Sequence, residues 1–249
     1  MLNTSEIITI VKKQLAVDFN CQLEDFDKTE NIITFPGLNE ERRKFSNKPS
    51  VFKMLTLGRN AIISADLLLH EWLSVFNKDR SGHWLFEYQN LCEIEKKLKP
   101  LKTKLYHISH MFLPIGQCKQ IETSMQIKWY EQEEIHQFYV GGKFPNALCK
   151  EFDPGRPDMI AVAAFENDEI IGMAGCSADS PVMWQIGIDV DEKHQGKGVG
   201  TGLVSLLKNE ISNRGKIPYY GTSSSNIHSW KIALNCGFSP VWIEAYSKD

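Results

Sequence analysis

Apolar residues recur at helical spacing near the start of the chain, at Ile7, Ile10, Val11 and Leu15, with Thr4 placed to cap them. The spacing predicts a helix over residues 5–17. A polar, irregular stretch follows to about Pro49, and residues 52–64 then read as two strands around a tight turn at 58–60. Helical patterns occupy 66–76 and 87–98, the second stopped by Pro100, which has no N–H to continue the ladder. Residues 105–113 read as extended, ending at Pro114 and Gly116. Trp84, Phe86 and Tyr88 are expected to fill the core of this half, where large aromatic side chains usually lie.

Beyond a boundary near 118 the punctuation becomes regular. A strand at 126–130 leads to a helix at 131–139 and a loop with Gly141, Gly142 and Pro145. Apolar runs at 159–165 and 169–176 flank Glu166-Asn167-Asp168, the signature of a hairpin with an Asn-Asp turn. A strand at 182–190 and an amphipathic helix at 199–212 follow, the helix burying Leu203, Val204, Leu206, Leu207 and Ile211. A strand at 217–222, a helix at 227–235 closed by Gly237 and a strand at 241–246 end the chain. The order is that of an α/β (α+β) domain with a mixed sheet. The reading therefore divides the chain into a mixed α/β domain at 1–118 and a second domain at 119–249.

Composition narrows the function classes. With 42% hydrophobic and 24% charged residues the chain is ordinary globular protein, so global disorder is not expected. A net charge of -3 gives no footprint for nucleic acid, and no apolar run reaches the roughly 20 residues that span a bilayer. The short basic run Arg42-Arg43-Lys44 reads as a solvated loop. Six scattered cysteines without a CxxC pair, behind an N-terminus unlike a secretory signal, are expected to be reduced structural thiols in a cytoplasmic protein. Cys176 and Cys236 show no base beside them that would make a nucleophile. His107 with His110, and His70-Glu71, lack the partners of a metal site, so no metal is expected.

The strongest chemical signal is the strand Trp184-Gln-Ile-Gly-Ile-Asp-Val190, followed by Gln195-Gly-Lys-Gly-Val-Gly-Thr201 at the start of a helix. Glycines let backbone N–H groups converge, and a helix N-terminus adds positive potential, so a pyrophosphate suits the turn. The dinucleotide pattern GxGxxG fails, because its third glycine falls on Thr201, Leu203 or Ser205. A phosphate-binding loop of the GxxxxGK[ST] type fails as well, because Gly198 follows Lys197.

The spacing Gln195, Gly198, Gly200 resembles the Q-x-x-G-x-G loop of the GNAT superfamily of N-acetyltransferases, in a strand–loop–helix–strand–Asn–helix–Gly-Phe context that also resembles that fold. The resemblance covers about half the chain, from 124 onward. Across more of its length the chain is similar to a bacterial subfamily that includes zwittermicin A self-resistance acetyltransferases, on residues 184–190 and Ser225-Asn226-Ile227-His228-Ser229. The resemblance implies a mostly antiparallel mixed sheet with flanking helices, and acetyl-CoA as co-substrate without a metal. It implies that backbone groups of Ile188, Asp189 and Val190 hold the pantetheine arm. Gln195, Gly196, Lys197, Gly198, Val199, Gly200 and Thr201 would form the pyrophosphate loop, with Asn226 and Ser229 as further contacts. Asn226 alone reads equally as a helix N-cap, and Ser229 as a surface serine.

Two departures from the family pattern bear on the chemistry. The tyrosine that many members carry four residues before the Gly237 position is Ala233, and the glutamate on the strand before the loop is Ile186. An amine of pKa about 10.4 is neutral in roughly one molecule per thousand near pH 7.4, a cost of about 4 kcal/mol that a base must help carry. Asp179, expected at the cleft mouth, is the first candidate base, and Asp189 the second. Asp179 reads as well as a turn residue satisfying its own backbone. Tyr220 is the candidate acid, though a strand tyrosine is usually core. The expected function is acetyl transfer to a primary amine, small-molecule or peptide, by direct attack. The alternative is a non-catalytic acyl-CoA-binding regulatory module. Neither reading involves nucleic acid or membrane, and a homodimer is compatible with both. The first 118 residues read either as a degenerate copy of the same fold or as a cover for the acceptor site.

Overall fold

The computed structural model describes residues 2–118 and 125–248. In chain order its elements are α1 (Thr4–Phe19), β1 (Ile32–Thr34), β2 (Phe52–Thr56), β3 (Ala61–Ala65), α2 (Leu67–Phe76), α3 (Tyr88–Leu98), β4 (Lys104–Leu113) and β5 (Gln126–Glu131). There follow α4 (Gln132–Ile135), β6 (Asp158–Glu166), β7 (Glu169–Ala178), β8 (Met183–Val190), α5 (Val199–Asn213), β9 (Ile217–Ser223), α6 (Ile227–Asn235) and β10 (Ser239–Lys248). The chain forms two compact units. The C-terminal unit comprises Phe112–Thr222, Asn226–Pro240 and the start of the chain through Ile7. The N-terminal unit comprises Ile8–Met111, Ser223–Ser225 and the chain from Val241 onward. The boundary expected at 118/119 falls against residues 119–124, which lie outside the described residues.

In the N-terminal unit the strand order is β1-β3-β2-β10-β4, with β1 parallel to β3 and β2 antiparallel to both β3 and β10. The β2–β3 hairpin turns where the glycine suggests. The Thr56 hydroxyl donates to the Asn60 carbonyl at 2.6 Å and accepts from the Gly58 amide at 3.0 Å, at a left-handed φ of +102° that glycine adopts freely. Asp66 caps α2 by accepting from the Leu68 amide at 3.0 Å. Phe52, Ile63, Leu73, Leu85, Ile94 and Leu98 form the core. Trp84 and Tyr88, expected there, are instead 55% and 78% exposed. For Trp84 the reason is the 3-10 turn Gly82–Phe86, whose three-residue repeat turns Gly82 and Leu85 inward together, while Tyr88 lies beyond that turn as the first residue of α3. The cap of α1 is also corrected. Asn3 Oδ1 accepts from the Glu6 amide at 3.0 Å and Glu6 Oε2 from the Asn3 amide at 2.7 Å, a reciprocal capping box one residue before Thr4.

In the C-terminal unit the order is β9-β8-β7-β6-β5, antiparallel from β5 to β8, with β8 and β9 parallel. This is the mixed, mostly antiparallel sheet with flanking helices that the sequence predicts. Asn167 and Asp168 take positive φ values of 50° and 64°, giving the two-residue turn whose twist suits the β6–β7 hairpin. Alternation along β6 supplies both faces. Ile160, Val162 and Ala164 meet Leu203, Val204, Leu207 and Ile211 of α5, while Ala161 and Ala163 meet Ile135, Phe144 and Leu148.

Gly175 and Gly187 are cross-strand partners on β7 and β8, and the backbone of residues 146–147 rests directly on them. A Cβ at Gly187 would stand 1.8 Å from the Asn146 carbonyl oxygen, and one at Gly175 2.3 Å from that of Ala147. Gly187→Ala is therefore expected to lower unfolding stability by about 2–3 kcal/mol, the cost of overpacking. Urea denaturation measures it, and an unchanged midpoint would mean that the segment moves aside freely.

Candidate functional site

Strands β8 and β9 pair from Met183 with Ile217 to Ile186 with Tyr220. Beyond that point β8 continues to Val190, still paired to β7, while β9 continues to Ser223. Among the described residues, no strand partner on the β9 side accompanies residues 187–190. After Val190 the chain passes a 3-10 turn, Glu192–His194, and two glycines with left-handed φ, Gly196 at 74° and Gly198 at 87°. Gly198 is the N-cap of α5, and the Gly202 amide makes the helical bond to its carbonyl at 2.9 Å. The amides of Val199, Gly200 and Thr201 thus precede the first helical donor, that of Gly202, and have no acceptor within the helix. They present the positive end of the helix dipole beside the parted strands.

Gly200 seats this first turn. A Cβ there would meet Ile232 Cδ1 at 3.1 Å, Val190 Cγ2 at 3.4 Å and Ile188 Cγ1 at 3.7 Å, so the glycine brings α5 close to both β8 and α6. Gln195 folds back, its Nε2 donating to the Val190 carbonyl at 3.2 Å, and Lys197 is exposed. On α6, Asn226 Oδ1 accepts from the Ser229 amide at 3.1 Å, the N-cap role its residue type favours. The Tyr220 and Ser229 hydroxyls lie 2.9 Å apart. Burial pushes the Tyr220 phenol up to about 12, although the Ser229 bond works the other way, so Tyr220 holds its proton at neutral pH.

The two aspartates occupy different settings from those expected. Asp179 is fully buried rather than at a cleft mouth. It accepts from Arg156 Nε at 2.5 Å, from Ser177 Oγ at 2.7 Å and from the Tyr219 hydroxyl. Arg156 also donates to Ser177 Oγ at 3.0 Å, and burial opposes its charge, but the Asp179 carboxylate outweighs that and raises its pKa. A base must reach its substrate, and Asp179 is enclosed by its own donors. Asp189 accepts from the Asn146 and Ala147 amides, each at 2.8 Å, and from Asn146 Nδ2 at 2.6 Å. It thereby pins the backbone that rests on Gly175 and Gly187. Ile186 and Ala233, which stand where a glutamate and a tyrosine would be sought, are both core residues. Burial pushes the Cys236 thiol up to about 11 and raises that of Cys176, so neither is a ready thiolate.

The structure therefore brings Ile188, Val190, Gly200 and α6 together, and separately joins Asn226, Ser229 and Tyr220. Arg156 and Asn146 were not evident from sequence. Each meets its aspartate across more than 20 residues, with no local motif to signal the pairing. Among the described residues, no three His, Cys, Asp or Glu side chains gather as a metal would require, and no helix is long and apolar enough to cross a membrane.

A family model described as the acetyltransferase (GNAT) family matches residues 119–238. No curated protein matches the sequence significantly. Among solved structures, the chain is similar to a GCN5-related N-acetyltransferase-like protein from Streptococcus suis, with 12% identity, 98% of this chain and 99% of that one covered, and a TM-score of 0.49. It is similar to a GNAT-family acetyltransferase from Colwellia psychrerythraea at 13% identity, covering 63% of this chain and 62% of that one, with a TM-score of 0.43. A GNAT-family protein from Novosphingobium aromaticivorans shares 12% identity over 58% of this chain and 66% of its own, with a TM-score of 0.46. The chain thus spans just under two thirds of the length of the last two.

Asp189→Ala removes the acceptor of both backbone amides and of Asn146 Nδ2 and is expected to cost about 1–3 kcal/mol, with new protease sensitivity near residue 146. Limited proteolysis and denaturation check this. Lost function at an unchanged unfolding midpoint would make Asp189 a chemical group instead of an anchor.

Proposed function

With a GNAT acetyltransferase domain at residues 119–238 as the premise, we propose that the chain transfers an acetyl group from acetyl-CoA to a primary amine. The observation that carries this reading is the meeting of three features at one place: the parting of β8 from β9, the left-handed glycines, and the open first turn of α5. The fit to the coenzyme is chemical. Amides at 196–201 would hold the pyrophosphate, each charge-assisted bond contributing about 1.5–3 kcal/mol. Backbone groups of Ile188 and Val190 would hold the pantetheine, with Asn226 and Ser229 beside it. Acetyl-CoA supplies the thioester that the amine attacks directly.

The chain's own residues set the proton traffic. Tyr220 Oη and Ser229 Oγ form a two-hydroxyl pair that can deliver a proton where Ala233 has none to give. On the amine side, Ile186 is apolar and the carboxylates of Asp179 and Asp189 are held by donors, so the amine relies on water to lose its proton. The likeness of residues 184–190 and 225–229 to the zwittermicin A resistance subfamily makes an amine-bearing antibiotic the first acceptor to try. A second reading, an acyl-CoA-binding regulatory module, is favoured by the same lack of a base at Ile186, Asp179 and Asp189. Binding without transfer to any amine would select it.

Two measurements test the proposal. Calorimetry is expected to detect CoA binding that falls at least tenfold in Gly198→Val, because a β-branched residue is strained at that positive φ. No affinity for CoA at millimolar concentration ends the reading. With an accepted amine, kcat/KM is expected to rise about tenfold per pH unit below the amine's pKa, following its neutral fraction. A plateau near neutral pH would reveal a side-chain base.

A further inference from the structure

Arg43 sits in the basic run that reads as a solvated loop, yet it is only 5% exposed. Its Nε donates to Asp18 at 2.5 Å and its Nη2 to Glu244 at 2.8 Å. Asp18 accepts further bonds from the Arg43 amide and Gln14 Nε2, and Glu244 accepts one from Trp242 Nε1. Both carboxylates are therefore well supplied with donors. They form part of the wall of a cavity of about 370 Å³ that lies wholly within the N-terminal unit. That volume is within the range of small-molecule sites.

Five cations line the cavity against these two carboxylates. Arg42 is held by the carbonyl oxygens of Asn39 and Ser46, and Lys53 Nζ by that of Asp18, so neither bond uses a carboxylate. Burial pushes the Lys53 ammonium below the ordinary lysine value, with Arg42 and Arg43 repelling it and Asp18 and Glu244 attracting it. Lys48 is exposed at the cavity wall, and Lys248 lies 4.7 Å over the Tyr106 ring. The apolar part of the lining includes Leu38 and Phe45, exposed by 45% and 46%, and Phe19, whose ring lies under Lys53 at 4.9 Å. Surplus positive charge in a concavity with apolar walls suits a ligand that is negative at one end and apolar at the other.

We propose that this cavity is a binding site for a small organic anion, a carboxylate or phosphate monoester with an apolar body. The site is independent of the glycine turn and does not rest on the acetyl-transfer reading. The anion would meet Lys48 and Lys53 while its apolar body lies against Phe19, Leu38 and Phe45.

The test uses the full chain with benzoate and phenyl phosphate as probes, and benzyl alcohol and benzylamine as neutral and cationic counterparts. Titration by calorimetry is expected to give at least one anion an affinity tenfold or more above that of benzyl alcohol, with benzylamine weaker still. Lys53→Met and Lys48→Ala are each expected to weaken that anion at least threefold. Lys48 is exposed, so Lys48→Ala keeps the test valid if Lys53→Met fails to fold. Equal affinity for charged and neutral probes overturns the proposal. So does anion binding untouched by Lys48→Ala, which would place the anion elsewhere, such as the glycine turn.

Discussion

Between Ile186 and Tyr220 the last pair of the β8–β9 ladder closes, and past it both strands must satisfy their backbone groups in other ways. β8 keeps β7 on one side as far as Val190, so its conformation stays extended while its other side opens. α5 then starts one short turn later, and the glycine at position 200 lets its first turn settle closely against Ile188, Val190 and Ile232. The parted ladder and the seated helix end are thus one arrangement. Moving either would take the amides of 199–201 away from the open strand edge.

The glycine turn into α5 was legible in the sequence because its determinants are contiguous. Glycines at 196, 198 and 200 between an apolar strand and an amphipathic helix require a turn of this kind whatever lies around them. The β6–β7 hairpin was legible for the same reason, its Asn167-Asp168 turn being chosen by local φ. What was not legible depends on residues distant in the chain. β1 is three residues long and gains its identity only from parallel pairing to β3. β10 runs antiparallel to β2, some 190 positions earlier, and no local pattern announces that partner. Arg43 looks solvated beside Arg42 and Lys44 until Asp18 and Glu244 are brought to it.

The same distinction governs the candidate site. Tyr220, Asn226 and Ser229 lie within ten residues of one another, and the structure joins them. Asp179, expected at the cleft mouth, and Asp189, the second candidate base, each hold a segment distant in the chain, at Arg156 and at Asn146. A carboxylate that accepts three bonds is well suited to holding a fold together and poorly suited to collecting a proton from a substrate. The C-terminal unit has therefore placed Asp179 and Asp189 in architecture, and the Tyr220 and Ser229 hydroxyls are what the structure joins beside α6.

The contact of residues 146–147 with Gly175 and Gly187 is made main chain to main chain. Besides that main-chain contact the seat is held by the Asn146 amide that Asp189 binds and by the buried side chains of Phe144, Ala147 and Leu148. Pro145 and Lys143, both exposed, can accordingly be exchanged without unseating it. Variation at these positions would change the surface displayed beside β8 while its scaffold stays constant, an economical route by which relatives sharing this packing could diverge in what they recognise.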